Sequence, residues 1–351
     1  MKSRFLYLII YVCLLPLAGC NVHEWPDLPE NVQVHLRLRY DTDWTMKEYE
    51  YESRNASENS RIISANSLIR YIVRAYPLVS NGRAAEDYTH EFVFTKTLDS
   101  HPYDYDVTLN LHPGEYKIAV WSDFLRRQHD EYMYDASDFT GIALPKHQAN
   151  TDYRDAFRGS ADISLLADYT EKAPDTLTVQ MRRPLAKFEF ITSDVEKFVQ
   201  KEATRVASKS KANGETSDSK AMESPESRVN LEEYRIVFYY VGFMPDVFNL
   251  FTDKPVDSAT GILYESSINK LNEEEASLGF DYVFVNGVES SVTLQIGIFD
   301  SEGTQLNMSE PIEVPIKRSQ HTVMRGMFLM SETFSGVAID PSFDGDYDFK
   351  F

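Results

Sequence analysis

Few side chains in this sequence are spaced for catalysis. The eight histidines (His23, His35, His90, His101, His112, His129, His147, His321) are scattered, and no two have metal-ligand spacing. A glycine-rich phosphate loop, a Gly-x-Ser-x-Gly elbow and a His-Glu-x-x-His helix are all missing from the sequence. With 55 acidic residues, chance carboxylate pairs are plentiful, so no glycosidase-type pair can be singled out. Asp344-Gly-Asp346-Tyr-Asp348 looks like part of a calcium loop but lacks the downstream bidentate Glu, and a structural turn is expected there. The aromatic stretch Tyr132-Met-Tyr134-Asp-Ala-Ser-Asp-Phe139 could stack on a sugar face or cover the edge of a core. The expectation is a chain with no catalytic residue, cofactor or metal.

The cysteines are more informative. Only Cys13 and Cys20 occur, so the body of the chain can hold no disulfide framework, cysteine zinc site or thiol nucleophile. Lys2 and Arg4 precede an apolar run from Phe5 to Leu17, of signal-peptide length and too short to span a bilayer. The run ends in Leu17-Ala18-Gly19-Cys20, which resembles the lipobox of bacterial lipoproteins. That resemblance implies cleavage between Gly19 and Cys20, removal of residues 1–19, and acylation of Cys20, with palmitate among the chains. One acyl chain anchors only marginally, whereas three on one cysteine hold a protein on a membrane without a transmembrane helix. Residues 20–31 then read as a lipid-proximal spacer. Asn21, where an inner-membrane retention signal commonly has Asp, favours the outer membrane.

The elements behind this anchor are strands. Val32-Gln-Val34-His-Leu36-Arg-Leu38-Arg-Tyr40 alternates apolar and polar residues, as a half-buried strand does. Similar runs occur at Ser67–Tyr76, Glu91–Thr97, Tyr105–Leu111, Glu115–Val120, Leu177–Met181 and Lys187–Phe190. His112-Pro113-Gly114 predicts a hairpin between two of them. Ser193-Asp-Val-Glu196 is a capping box ahead of a short helix carrying Val195, Phe198 and Val199 on one face. The Ser-, Lys- and Glu-rich stretch that follows reads as a flexible linker over 199–228. Alternation resumes at Tyr234–Tyr240, Leu278–Val285, Ser291–Phe299, Glu310–Ile316 and Thr322–Met330. Asn286-Gly287 predicts a hairpin, Asp300-Ser-Glu-Gly303 marks a second turn, and Asn272-Glu-Glu-Glu275 suggests a brief helix. Tyr347–Phe351 alternates once more.

A length of 351 residues with 42% hydrophobic and 26% charged residues fits two folded domains. The fold class expected is all-β, two tandem antiparallel β-sandwiches, over 32–198 and 229–351. The net charge of −20 excludes a nucleic-acid binder, because phosphate would be repelled, and keeps the body off anionic lipid.

Several phrases resemble the fimbrillin-like lipoproteins of Bacteroides and relatives. They are Pro113-Gly-Glu-Tyr-Lys-Ile-Ala-Val-Trp121-Ser-Asp123, Arg183-Pro-Leu-Ala-Lys-Phe188, Tyr240-Val-Gly-Phe-Met-Pro245 leading to Asn249-Leu-Phe-Thr-Asp-Lys-Pro255, Gly279-Phe-Asp-Tyr-Val-Phe-Val-Asn-Gly287, and Gly336-Val-Ala-Ile-Asp-Pro-Ser-Phe-Asp-Gly-Asp346. The resemblance implies transthyretin-like sandwiches and a surface role as stalk, tip or anchor of fimbriae. It also implies polymerisation by strand donation, after a protease removes the first strand. Here the strand to remove is Val32–Tyr40, with Arg37 and Arg39 as trypsin-like sites inside it, and the donor is Tyr347–Phe351. Asp175-Thr176-Leu177 and Asp257-Ser258-Ala259 resemble O-glycosylation sites of exported Bacteroides-type proteins. The leading expectation is therefore a non-catalytic, lipid-anchored outer-membrane or cell-surface protein of fimbrial assembly and adhesion, with other subunits and a host or glycan ligand as partners. A glycan-binding lipoprotein beside a polysaccharide transporter is the alternative, and a lipid-anchored hydrolase a third reading.

Overall fold

The alternation that begins at Val32 buries Val34, Leu36, Leu38 and Tyr40 and leaves His35, Arg37 and Arg39 in water, so a strand with one wet face follows from the sequence. The computed structural model describes residues 30–41, 45–50, 68–79, 81–97, 104–126, 131–166, 176–212 and 229–330. Among these the chain is an all-β sandwich protein with one long helix.

The first sandwich pairs two sheets. In one, β1 (Val32–Tyr40) lies between β5 (Tyr105–Leu111), antiparallel, and β10 (Leu177–Met181), parallel. In the other, β4 (His90–Thr97), β3 (Leu68–Pro77) and β6 (Glu115–Arg126) run antiparallel, and both β7 (Glu131–Tyr132) and β9 (Ala156–Ser164) pair with β6. Leu36, Leu38, Tyr71, Val73, Ile118 and Val120 fill the space between the sheets.

The opposite face of β3 and β6 is apolar as well. Ile72, Tyr76, Ala119 and Trp121 join the larger core of the second sandwich, which explains why β3 is buried from Tyr71 to Tyr76 rather than on alternate residues.

The second sandwich also has two main sheets. One orders β16 (Asn269–Lys270), β17 (Ala276–Phe284), β11 (Leu185–Thr192), β21 (Gln320–Gly326) and β2 (Thr45–Glu50). The other orders β15 (Leu263–Ser267), β12 (Arg235–Tyr240), β18 (Glu289–Phe299) and β19 (Gln305–Met308), with β20 (Ile312–Lys317) also on β18. A small third sheet joins β14 (Lys254–Ala259), β13 (Met244–Asn249) and β8 (Ile142–Ala143).

Several sequence expectations differ from this arrangement. The pairings β1–β10, β11–β21 and β2–β21 are parallel, in a chain expected to be antiparallel throughout. Leu185–Thr192, expected in the first unit, pairs on both sides with strands of the second. The turns at His112–Gly114 and Asn286–Gly287 are not hairpins: β5 and β6 lie in different sheets, as do β17 and β18. A turn signal sets a local reversal, and Gly287 does take φ +83°, but it does not say which edge the next strand joins. The turn at Asp300–Gly303 does connect a paired hairpin, β18 and β19. Residues 272–275 form no helix; Asn272 Oδ1 instead accepts from the backbone N–H groups of Glu274 (2.9 Å) and Glu275 (2.8 Å).

The capping box does precede a helix, α1 (Val195–Ala212), and this runs well into the stretch expected to be a flexible linker. Its polar residues have partners. Glu202 accepts from Tyr234 Oη (2.9 Å) and Arg205 Nε (2.8 Å), Arg205 reaches Asp300 (3.0 Å), and Lys209 reaches Glu302 (2.9 Å). Polar composition there reflects ion pairing to the second sandwich rather than solvation alone. No helix among the described residues is long and apolar enough to cross a membrane.

Candidate functional site

The first strand is an interior strand, although strand removal is easiest to picture at an edge. Val32 to Leu38 lie opposite Leu111 to Tyr105 of β5, and Leu36 to Tyr40 lie opposite Leu177 to Met181 of β10. Burying Leu36 and Leu38 stabilises the sheet by about 1.5–3 kcal/mol each. Tyr40 closes the far end. Its ring meets Phe157 edge-on at 4.9 Å and Tyr71 at 6.2 Å, and its hydroxyl donates to Ser122 Oγ at 2.8 Å. Burial pushes the Tyr40 phenol far above its ordinary value, so it stays a neutral donor. The Tyr40 backbone N–H donates to Asp104 Oδ1 (3.0 Å), and that of Asp41 to the Met181 carbonyl (2.9 Å).

On the wet face Arg37 donates to both oxygens of Asp106, at 2.8 and 3.0 Å. The hydrogen bond from Arg37 lowers the Asp106 carboxyl below its usual value, and the exposed pair contributes little to stability. Arg37 and Arg39 thus present exposed side chains, while the Arg37 backbone lies between β5 and β10 and that of Arg39 is in register with Gln180 of β10. A protease needs an extended, unpaired backbone, so neither site is open while β1 stays in place.

Taking β1 out would leave facing rows of unpaired backbone groups on β5 and β10 above an exposed apolar floor. That groove has the shape and chemistry to accept another extended strand.

The other sequence-predicted positions are dispersed. Gly19 and Cys20, Asp344 to Asp348 and Tyr347–Phe351, expected as a donor strand, lie outside the described residues. Thr176 sits half-buried just before β10, and Ser258 half-buried within β14. Of the three aromatics considered for sugar stacking, Tyr134 and Phe139 are buried. Tyr134 donates to the Arg154 carbonyl at 2.7 Å and stacks edge-on with Trp121, while Phe139 lies beneath Arg74 at 4.3 Å. Tyr132 is half-buried, with the Arg70 guanidinium 3.6 Å from its ring centre. This stretch covers a core and offers no open stacking face.

Sequence reasoning missed a buried ionic network. Asp281, fully buried on β17, accepts from Arg154 Nη1 (2.5 Å) and Tyr240 Oη (2.7 Å), and its Oδ2 lies 2.6 Å from His147 Nε2. Nearby, Lys187 and Tyr282 share Asp152 Oδ1 (2.8 and 2.7 Å), and Arg183 grips Asp155 through Nε and Nη2. Burial alone would raise the Asp281 carboxyl, but the Arg154 charge and the His147 and Tyr240 contacts hold it below the ordinary value. At Asp155 burial outweighs Arg183, and the carboxyl is raised. The signal was available as charged residues inside apolar strand runs, Lys187 after Leu185-Ala186 and Asp281 between Phe280 and Tyr282. Asp281 and Asp155 are sequestered and bound to cations, where a glycoside hydrolase needs its pair facing a cleft. Among the described residues, no group of three His, Cys, Asp or Glu could hold a metal ion.

Residues 29–350 match a family of unknown function, DUF6562. The chain belongs to this family. No curated protein matches the DUF6562 chain. Solved structures similar to it include a candidate polysaccharide-binding protein of Bacteroides thetaiotaomicron (10% identity, TM-score 0.39, 79% of each chain covered). They also include a candidate adhesin of Bacteroides ovatus (11% identity, TM-score 0.40, covering 80% of this chain and 78% of that one). A third is the fimbrial anchor protein Mfa2 of Porphyromonas gingivalis (10% identity, TM-score 0.37, covering 79% and 82%).

Proposed function

We propose that this chain is a non-catalytic, lipid-anchored protein of the outer membrane and cell surface, a structural subunit, anchor or tip component of fimbriae. The observation that carries the reading is the interior position of β1, the first strand after the acylatable Cys20. Eleven spacer residues separate the two, and a fully extended spacer of that length reaches about 40 Å. A cut at Arg37 or Arg39 would therefore have two effects. It would part the lipid from the body and free most of the strand that fills the groove. A chain that keeps β1 and its lipid is an anchor; one that loses both is a soluble subunit with an open acceptor site. The donor in the neighbouring subunit is the strand Tyr347–Phe351, paired along β5 and β10.

Metabolic labelling with palmitate tests the anchor. Label should enter the wild-type chain, and Cys20→Ser should abolish both labelling and membrane association. Equal membrane association of the Cys20→Ser chain would refute it.

A further inference from the structure

A cleft of about 520 Å³ opens away from β1, where two tight turns face each other across strands β6 and β9. The floor is formed by Lys117 of β6 and Ser160 of β9, on adjacent strands in which Lys117 lies opposite Asp162 and Ala119 opposite Ser160. One wall is the β3–β4 connection. Gly82 takes φ +73°, the Asn81 side chain accepts from the Arg83 backbone N–H at 3.0 Å, and the Arg83 carbonyl accepts from Val79 at 2.9 Å. The other wall is the β13–β14 turn, in which Asn249 Oδ1 accepts from the backbone of both Phe251 and Thr252 at 2.9 Å. Both walls are held before any ligand arrives.

The polar groups aimed at this space are largely unused. Lys117 pairs with Asp162 at 2.5 Å. Among the described residues, however, the Arg83 guanidinium, the Ser160 and Thr252 hydroxyls and the Asn249 amide nitrogen make no side-chain hydrogen bond or ion pair. Glu86 adds an acceptor, and Phe251, packed edge-on against Tyr76 at 4.9 Å, adds apolar surface. Hydroxyl and amide groups beside one aromatic ring suit a polyhydroxylated ring. The volume lies within the range of small-molecule sites.

The charge nearby selects among such rings. Asp253, directly after Thr252, is the shared carboxylate of two guanidiniums, Arg158 and Arg318, whose Nε atoms are buried without a partner. Of the two cations that line the cleft, Lys117 is held by Asp162, which leaves Arg83 as the one without an ion-pair partner among the described residues, on a chain of net charge −20. Arginine matches a carboxylate in a planar, two-point contact.

We propose that this cleft binds a short acidic saccharide, with Arg83 taking the carboxylate of a uronic acid, and Ser160, Thr252, Asn249 and Glu86 its hydroxyls. The site shares no residue with the lipid anchor or β1, so either reading can fail without the other.

Calorimetric titration of the full-length chain in detergent tests it. The probes are disaccharides containing galacturonate, glucuronate or mannuronate, each beside its neutral counterpart. At least one acidic disaccharide should bind with a Kd below about 1 mM, and its neutral counterpart at least tenfold more weakly. Arg83→Gln, on an exposed turn, should weaken binding at least tenfold, and Ser160→Leu should block the cleft. The proposal fails if none of the acidic probes binds, if neutral probes bind as well, or if binding survives both substitutions.

Discussion

Leu36, without solvent exposure, lies in parallel register with Leu177 of β10 and opposite Val107 of β5, so the strand nearest the spacer is clamped on both sides. Leu36→Ala should cost about 2–5 kcal/mol, read as a lower denaturant midpoint. Trypsin provides a second reading of the same clamp. Native protein should resist cutting at Arg37 and Arg39, and Leu36→Ala should speed cutting there in proportion to the lost stability.

Gly159 sits where β9 passes the backbone of β10. A Cβ at this position would lie 2.7 Å from the Gln180 carbonyl oxygen and 2.8 Å from Val179 Cγ1. Because one of these atoms is backbone, the two sheets of the first sandwich would have to separate. Gly159→Ala should destabilise the protein by about 1–3 kcal/mol in equilibrium unfolding, an unusual cost for adding one methyl group.

Asp281→Asn should be more damaging, about 3–5 kcal/mol, because Arg154 would be left buried without its counter-charge. The pH dependence has a definite sign. The folded-state value of Asp281 is lowered, so its contribution is complete above the unfolded carboxylate value of about 3.9 and is lost as the pH falls through the folded value. The gap between wild type and Asp281→Asn, measured by urea unfolding, should stay constant near neutrality and narrow below about pH 4.

Phe139→Ala should lower stability by about 3–5 kcal/mol, as expected for a ring without solvent exposure that packs against Tyr76 and Arg74. The same change should leave saccharide binding in the Arg83 cleft intact wherever the protein remains folded. Retarded migration in polysaccharide gels that depended on Phe139 but not Arg83 would speak against both placements.

Much of the architecture is legible in period-two runs. Val34, Leu36, Leu38 and Tyr40 point inward as their alternation predicts, and β12, β18 and β20 fall within residues of where their patterns predict them. What the pattern does not carry is partnership. Nothing around Asn286-Gly287 says that β18 leaves the sheet of β17, and nothing in Val32–Tyr40 says that its neighbour is β10, far along the chain. Helix α1 was underestimated because Glu202, Arg205 and Lys209 look solvated in sequence and are paired in space. The Arg83 cleft was illegible for a similar reason: its walls come from turns at 81–86 and 249–252, and its floor from two strands between them.

The most direct test of the account is to release β1. A specific protease site placed at Asp41, just past the end of the strand, would allow the folded chain to be cut and the β1 segment washed away. Light scattering would then report the assembly state. The account predicts that the cut chain forms oligomers and that excess Val32–Tyr40 peptide suppresses them by refilling the groove. A cut chain that remains monomeric at high concentration, with β1 gone, would contradict it.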